Sequence, residues 1–307
     1  MIDVALMIEG QNGVTWERWQ RLARAVEAAG YAGLHRSDHF TNPMDDHRDA
    51  LELWTSLTWL ATNTDRIAFG PLVAPVSFRD PVIAAWTAAS IDQLAPGRLR
   101  LGLGAGWMER EHEEFGFDLL DVDARFRRFM EALEVITLLL RRQGPVSFDG
   151  EFYTLRGAEF MPNPIRRGYI PLVIGGNGPR RTLPLAARFG DEWNGVGLTI
   201  DAFQERSRLL DDLLREQGRK PEDVRRTIMT RVIFGRDDAQ LAARLQGESA
   251  DEHRANGHIV GTAEEIAEQI KALDAAGVQG VMLQWLDPLD DIEGIEALGR
   301  AATSALA

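Results

Sequence analysis

Short apolar runs alternate with stretches of helical periodicity along the whole chain, and this alternation limits the fold more than any other feature. A short apolar run between turn signals predicts a strand, whereas apolar residues spaced three and four apart predict an amphipathic helix. The runs that predict strands are Ile2–Ile8, Ala32–Arg36, Arg66–Val73, Arg98–Gly104, Pro171–Ile174, Glu192–Val196, Thr227–Phe234 and Val278–Trp285. Eight such units, each followed by a helical segment, predict an α/β protein built as a single (β/α)8 TIM barrel, whose core takes about 250 residues. An open doubly wound sheet is the alternative.

The helical segments start and stop at residues that favour helix ends. Thr15 is a suitable N-cap for the first helix and Gly30 a suitable stop, and Pro81 suits the first turn of the third. The other main predicted helices are 50–62, Asp123–Arg142, Arg180–Phe189 and Asp201–Gln217.

Two segments interrupt the rhythm. Near 144–170, GPVSFDGEFYTL predicts a β-hairpin with Asp149-Gly150 at its turn. The second segment lies near 236–262, after the seventh strand. We interpret both as insertions into one barrel domain that spans residues 1–307.

Composition excludes several classes of function. The formal net charge of −13 argues against a nucleic-acid surface, which needs clustered cations. The sequence has no Cys, so thiolate catalysis and iron–sulfur clusters are excluded, and its two lysines, Lys220 and Lys271, lie in no P-loop pattern. No apolar stretch approaches the length of a membrane span, and the N-terminus carries acids where a secretory signal carries cations. We therefore expect a cytoplasmic protein that binds neither membranes nor nucleic acid.

Chemistry in such barrels lies where strands end, and the second predicted strand is followed closely by Asp38 and His39. An imidazole there can exchange protons near neutral pH, although it could equally serve only as a hydrogen-bonding residue of the loop. A metal site is a further alternative, but its spacing does not match a compact zinc motif. The residues available to it are His35, His39, Asp45, Asp46 and His47.

The third and fourth strands end in small or rigid residues. Leu72 and Val73 lie between two prolines, which suggests an irregular backbone against which a flat ligand could lie. The fourth strand runs into Gly104, Ala105 and Gly106, followed by Trp107. These glycines lack the spacing of the dinucleotide fingerprint, so we interpret them as a loop that lets a ring approach the backbone.

The loop after the fifth strand is the best candidate for a phosphate site. Glycines bring backbone N–H groups close to a ligand, and the start of the following helix adds partial positive charge. Arg181 and Thr182 can add donors, although a simple glycine-rich connection would look similar. The residues that we assign to this site are Gly175, Gly176, Asn177, Gly178, Arg181 and Thr182.

Taken together, these segments resemble the luciferase-like monooxygenase superfamily, and most of all its actinobacterial branch of oxidoreductases that depend on the deazaflavin coenzyme F420. The resemblance covers nearly the whole chain. The segments that carry it, in order, are Ser37-Asp38-His39, GRLRLGLGAGWMEREHEEFGF, VSFDGEFYTL and IGGNGPRRTLPLAARFGDEWN.

The resemblance implies a role for each candidate residue. The ring of the cofactor would lie in the barrel mouth, with its phosphate at Gly175–Thr182 and with Asp38 at its polar edge. The Leu72–Val73 bond matches a non-prolyl cis peptide that backs the ring in the family. His39 aligns with the acid–base histidine of the family's sugar-phosphate dehydrogenases. Those enzymes have Glu where this chain has Trp107 and Trp where it has Pro43, which argues against a sugar-phosphate substrate. The resemblance also implies a homodimer.

The predicted reaction is hydride transfer between F420 and a small organic substrate held near His39, Trp107 and Glu9. His39 would take up or return the substrate proton as the hydride moves. FMN with oxygen, as in a two-component monooxygenase, is the main competing prediction, because the same phosphate loop serves either cofactor. Two further candidates are a barrel that binds flavin without turnover and a metal-dependent hydrolase.

Overall fold

A parallel barrel surrounded by helices forms the frame of the protein, and it confirms the predicted α/β architecture. The computed structural model describes residues 1–43, 47–161 and 169–304. Its strands are β1 Asp3–Ile8, β2 Gly33–Arg36, β3 Ala68–Pro71, β4 Ala74–Pro75, β5 Leu101–Gly104, β6 Val146–Asp149, β7 Thr154–Ala158, β8 Leu172–Gly175, β9 Glu192–Val196, β10 Arg225–Phe234, β11 Ile259–Gly261 and β12 Gly280–Trp285. Its α-helices are α1 Trp16–Ala28, α2 Leu53–Asn63, α3 Pro81–Leu94, α4 Glu109–Phe115, α5 Val122–Arg141, α6 Thr182–Phe189, α7 Ile200–Glu216, α8 Asp238–Leu245, α9 Ala250–Ala255, α10 Ala263–Ala275 and α11 Ile292–Ser304.

The sheet closes on itself through the segment 68–75. In the described residues, the strands pair in the order β3-β2-β1-β12-β10-β9-β8-β5-β4. β3 and β4 are two halves of one barrel strand, since β3 pairs with β2 and β4 pairs with β5. A parallel bridge between Phe69 and Leu99 joins β3 to the approach to β5. The two ends of the path therefore meet, which excludes an open sheet.

Side-chain caps fix the starts of several helices, and the sequence predicted the first of them, Thr15. The Thr15 hydroxyl accepts a hydrogen bond from the backbone N–H of Arg18 at the start of α1. Asp80 caps α3 just before Pro81, and Asp121 caps α5 in the same way. Each side chain satisfies backbone donors that the first turn of a helix leaves free. The predicted helices are confirmed to within a few residues.

The hairpin near 144–170 forms, but its turn is wider than predicted. Asp149 pairs with Thr154, so residues 150–153 make the connection and Asp149-Gly150 is not a two-residue turn. The carboxylate of Glu131 on α5 accepts hydrogen bonds from the backbone N–H groups of Glu151 and Phe152. These bonds satisfy the donors of the longer loop. Residues 162–168 of this predicted insertion lie outside the described part of the chain.

Two elements were not predicted from the sequence. α4 follows β5 directly, where we expected only a loop. Within the second insertion, β11 adds a parallel partner to the end of β10, with Val232 opposite Ile259. α4 is important for the site, because it lies at the carboxyl end of the barrel.

The barrel interior is part apolar and part polar. Its apolar cluster comprises Ala5, Met7, Leu72, Val173 and Met282. The larger apolar core lies elsewhere and contains buried side chains such as Trp19 and Phe129 of the helices and Phe69 of β3. Among the described residues, no helix combines the length and apolar character needed to cross a membrane.

Candidate functional site

An open cavity of about 570 Å³ lies at the carboxyl ends of the barrel strands. This is the end at which barrels of this type place their chemistry. The predicted site residues that line the cavity are Glu9, His39, Leu72, Val73, Gly106, Trp107, Gly175 and Gly176. Met7, Val196 and Met229 add apolar surface to its walls.

His39 is held by a carboxylate that we did not assign to the site. Its Nδ1 lies 2.9 Å from Oε1 of Glu111 on α4. The second oxygen of Glu111 accepts a hydrogen bond of 3.0 Å from the backbone N–H of Phe40. Glu111 is only 1% exposed, so this carboxylate is anchored on both sides. Among the described residues, Nε2 of His39 has no partner, and the ring lines the cavity.

The surroundings of His39 raise its pKa. Burial by itself lowers the pKa, but the hydrogen bond and the charge of Glu111 outweigh it, with further help from the charges of Glu9 and Asp38. Trp107 meets the imidazole edge to face, with ring centroids 5.5 Å apart. The result is an oriented imidazole beside a cavity, with its proton equilibrium tuned by a buried carboxylate.

Asp38 lies outside the cavity lining, in contrast to its predicted position at the edge of the ring. Both of its oxygens accept hydrogen bonds of 2.8 Å from the guanidinium of Arg79, which is also paired with Glu52. The Arg79 guanidinium lies over the rings of Phe40 and Phe78. Because Arg79 uses both carboxylate oxygens, Asp38 holds the loop together in this structure, and we do not carry it into the proposed site.

The Leu72–Val73 bond is cis, as the resemblance implies, and both residues line the cavity. Glycines make room for the side chain of Val73. A methyl group on Gly104 would lie 2.6 Å from Cγ2 of Val73, and one on Gly175 would lie 3.0 Å from Cγ1. Gly104 therefore supports the wall and does not line it, and Ala105 packs against the apolar core. Gly106 lines the cavity with a φ of +88°, a conformation that favours glycine.

At the end of β8 the cavity is lined by Gly175, the last residue of the strand, and by Gly176, the first residue of the following loop. The side chain of Asn177 is bonded to the backbone of Val196, where its oxygen accepts from N–H and its amide donates to C=O. Arg181 pairs with Asp123 on α5 and is exposed beside the start of α6. Gly178 and Thr182 belong to the same segment, and Thr182 is buried; none of these four residues lines the cavity.

Glu9 is the second carboxylate of the cavity. It accepts hydrogen bonds from Nε2 of Gln284, at 2.6 Å, and from Nε2 of Gln11, at 3.1 Å. Gln11 in turn accepts from the hydroxyl of Ser37, which itself accepts from the backbone N–H of Gly10. The network fixes one acidic wall between the ends of β1 and β12.

A metal site finds no support in this arrangement. His35 lies inside the barrel, where burial and the charge of Arg100 lower its pKa to about 3. His39 faces Glu111, and His47 pairs with Glu114 at the surface. Asp45 and Asp46 lie outside the described residues. Within the three described ranges, no group of three or more potential ligands could hold a metal ion.

Comparison with known proteins places the fold and these motifs in a family. The family model described as luciferase-like monooxygenase matches residues 3–250. The chain belongs to this family. The match confirms the resemblance drawn from the motifs at the strand ends.

Individual members of the family differ in cofactor. The chain is 32% identical to an F420-dependent glucose-6-phosphate dehydrogenase of Kineococcus radiotolerans, over 70% of this chain and 63% of that protein. It is 24% identical to an FMNH2-dependent dimethylsulfone monooxygenase of Pseudomonas fluorescens, over 92% of this chain and 85% of that one. A solved F420-dependent secondary alcohol dehydrogenase superposes with a TM-score of 0.85 at 21% identity, covering 98% of this chain and 99% of that one.

Proposed function

We propose that this protein transfers a hydride between F420 and a small organic substrate. The observation that carries the proposal is the His39–Glu111 pair beside a cavity whose other walls are apolar side chains and glycines. Such a site can hold a flat ring and manage one proton, which are the two tasks that a hydride-transferring enzyme leaves to its protein.

The residues present fit a deazaflavin. Met7, Leu72 and Val73 give a ring an apolar wall, and Gly175 and Gly176 keep the exit towards α6 free of side chains. Backbone N–H groups at the start of α6, with Arg181 beside them, suit a phosphate in a chain that is otherwise strongly acidic. F420, when bound, accepts or supplies the hydride.

His39 manages the proton. In alcohol oxidation, Nε2 of the neutral imidazole takes the hydroxyl proton while the substrate carbon loses its hydride, and Glu111 stabilises the imidazolium that forms. In carbonyl reduction, the imidazolium returns the proton to the substrate oxygen. Since Glu111 raises the pKa of His39, we expect oxidation to become faster as pH rises through that pKa and reduction to become slower.

The substrate is a neutral molecule in this proposal. Glu9 and Glu111 both line the cavity, and their negative charges oppose an anionic group at short range. Trp107 and Pro43 stand at the same mouth, where they narrow the space available to a polar sugar. We therefore do not transfer glucose 6-phosphate from the Kineococcus relative. Neutral secondary alcohols should be turned over faster than glucose 6-phosphate, and a preference for the phosphate would contradict this assignment.

FMN with oxygen is the second candidate, and the dimethylsulfone monooxygenase among the relatives favours it. Titration of the pure protein with F420 and with FMN, followed by fluorescence quenching, distinguishes the two. Tighter binding of F420 supports the proposal, whereas a clear preference for FMN would shift it to the monooxygenase.

We further propose that the protein acts as a homodimer in the cytoplasm. Besides the family resemblance, the outer face of α3 supports a dimer, because Ile83, Trp86 and Leu94 are 63%, 42% and 51% exposed there. Exposed apolar side chains grouped on one helix are typical of contact surfaces. The cytoplasmic location stays a prediction from the sequence.

A further inference from the structure

A chain of hydrogen bonds between buried side chains lies below the cavity floor, and in each bond the chemistry of the groups fixes which one donates and which one accepts. It joins Arg100 on the approach to β5, Glu192 and Asn194 on β9, and Thr227 on β10. Nη1 of Arg100 lies 3.3 Å from Oε2 of Glu192. The other oxygen of Glu192 is 2.8 Å from the hydroxyl of Thr227, which is 2.9 Å from Nδ2 of Asn194. Glu192, Thr227 and Asn194 are each at most 1% exposed.

The polarity follows from what each group can donate. A carboxylate can only accept hydrogen bonds, so the single hydroxyl proton of Thr227 goes to Glu192; its contact with the carbonyl of Trp193 is longer, at 3.3 Å. Thr227 must then accept from the amide of Asn194. The second amide proton of Asn194 points at Sδ of Met282, 3.4 Å away. Both amide protons are therefore used below the floor.

This leaves Oδ1 as the free polar atom of Asn194. Asn194 lines the cavity, and its Oδ1 accepts no hydrogen bond from the part of the chain that the structure describes. Because Glu192 and Thr227 fix the amide, this atom cannot be exchanged for an N–H donor at small cost. The cavity floor thus presents a preset acceptor.

The position of Asn194 indicates which molecule it meets. Asn194 pairs in register with Gly175, and its backbone C=O accepts from the N–H of Gly176. When β3 and β4 are counted as one strand, β9 is the fourth strand from β2 in either direction around the barrel. Asn194 therefore lies on the side of the barrel opposite β2, the strand that leads to His39. It lies next to the proposed path of the cofactor and away from the proton-transfer residue.

We infer that Asn194 is a cofactor-recognition residue that accepts a hydrogen bond from a donor of the bound flavin or deazaflavin, and that Glu192 positions it. The inference rests on the proposed function, since it takes the cavity occupant to be such a cofactor. Three kinds of donor have the right chemistry: an N–H at the ring edge, an O–H of the polyol chain that joins ring to phosphate, and the hydroxyl that the deazaflavin ring of F420 carries and the FMN ring lacks. An occupant that offers only acceptors at this point would be discriminated against, because two acceptors cannot pair.

Binding titrations of Asn194→Leu and Glu192→Gln test the inference, with Ile228→Val as a control on the neighbouring strand β10, whose side chain is buried in the apolar core and does not line the cavity. We expect Asn194→Leu to weaken F420 binding by about tenfold. Glu192→Gln should weaken it by about threefold, because glutamine can also donate to Thr227 and so frees the amide of Asn194 to turn. Ile228→Val should leave affinity within about twofold, because its side chain does not reach the cavity. Thermal unfolding without cofactor reports whether each variant is folded.

The double variant separates positioning from general structural support. If Glu192 acts through Asn194, then Glu192→Gln has no further effect on affinity once Asn194 is leucine. Additive losses would overturn the role of Glu192. FMN and lumiflavin, which lacks the polyol chain, identify the donor. A loss for F420 alone indicates its ring hydroxyl, a loss for F420 and FMN but not lumiflavin indicates a chain hydroxyl, and a loss for all three indicates the ring N–H.

Cofactor binding by the wild-type protein distinguishes failure of the proposed function from failure of the inference about Asn194. Wild-type protein that binds neither F420 nor FMN would remove the proposed function, and the inference with it. Wild-type binding together with unchanged affinity in folded Asn194→Leu would overturn the inference alone.

Discussion

Replacing Glu111 by glutamine tests the feature on which the proposed chemistry depends. The two oxygens of Glu111 serve two donors, Nδ1 of His39 and the backbone N–H of Phe40. A glutamine has one acceptor oxygen, so its NH2 group faces one of those donors as long as His39 keeps its proton on Nδ1, the tautomer in which Nε2 can act as a base. A buried donor without a partner costs about 1–3 kcal/mol, and we expect a loss of this size in the free energy of unfolding.

Part of that loss depends on pH, with a sign fixed by the raised pKa of His39. A group whose pKa is higher in the folded than in the unfolded state stabilises the fold fully below the unfolded value, about 6.5 for histidine. That contribution disappears as pH rises through the folded value. The difference in unfolding free energy between wild type and Glu111→Gln should therefore be largest near pH 5.5, roughly, and smaller near pH 9.

The activity of the same variant gives a second measurement. A hydrogen bond to a charged group contributes about 1.5–3 kcal/mol, so losing it when the imidazolium forms should lower kcat by about 10- to 150-fold. Urea unfolding at several pH values and steady-state kinetics make the two tests. Glu113→Gln, which removes the same charge from an exposed position of α4, is the matched control. A stability difference that does not change with pH, or a kcat equal to that of the control, would refute the reasoning.

Three further predictions concern the neighbouring parts of the molecule. His39→Ala should lower kcat by about 10²-fold or more and leave F420 affinity within a few-fold, whereas His47→Ala, at an exposed position, should leave kcat unchanged. Full activity of a folded His39→Ala variant would exclude His39 from the mechanism. Arg181→Ala should weaken F420 binding by about tenfold in a salt-sensitive manner. Arg188→Ala should not, although Arg188, on α6, is likewise an exposed arginine paired with an acid of α5. If the two variants bind F420 with equal affinity, the phosphate of the cofactor does not bind at Arg181. Trp86→Glu should shift the mass measured by light scattering from dimer to monomer, and a wild-type protein that is already monomeric would contradict the proposed contact surface.

The barrel could be predicted from the sequence because its strands are apolar runs with a helical segment after each. α4 could not, since EREHEEF is short, strongly charged and without apolar periodicity. β11 is a three-residue strand whose partner lies in a different segment, so no local pattern marks it. The turn at Asp149-Gly150 was misjudged because Glu131, which binds the loop, is distant in sequence.

In the site, too, local sequence features were predictable, whereas contacts between residues distant in sequence were not. Position at a strand end was enough to predict that His39, Val73 and Gly176 lie around one cavity, because topology alone brings strand ends together. Partners were not predictable in this way. Glu111 lies 72 residues from His39, and Arg79 lies 41 residues from Asp38, so the sequence showed neither the carboxylate that orients the imidazole nor the cation that occupies Asp38.

The shape of one cavity wall depends on the absence of side chains at the glycines around Val73. Gly104 and Gly175 come from different strands, yet each leaves the volume that one valine fills. The side-chain sizes allowed at positions 104 and 175 therefore depend on the size of the residue at position 73. Alanine at Gly104 should be tolerated only together with a smaller residue at position 73, so the two positions should change together wherever the family alters the width of this wall.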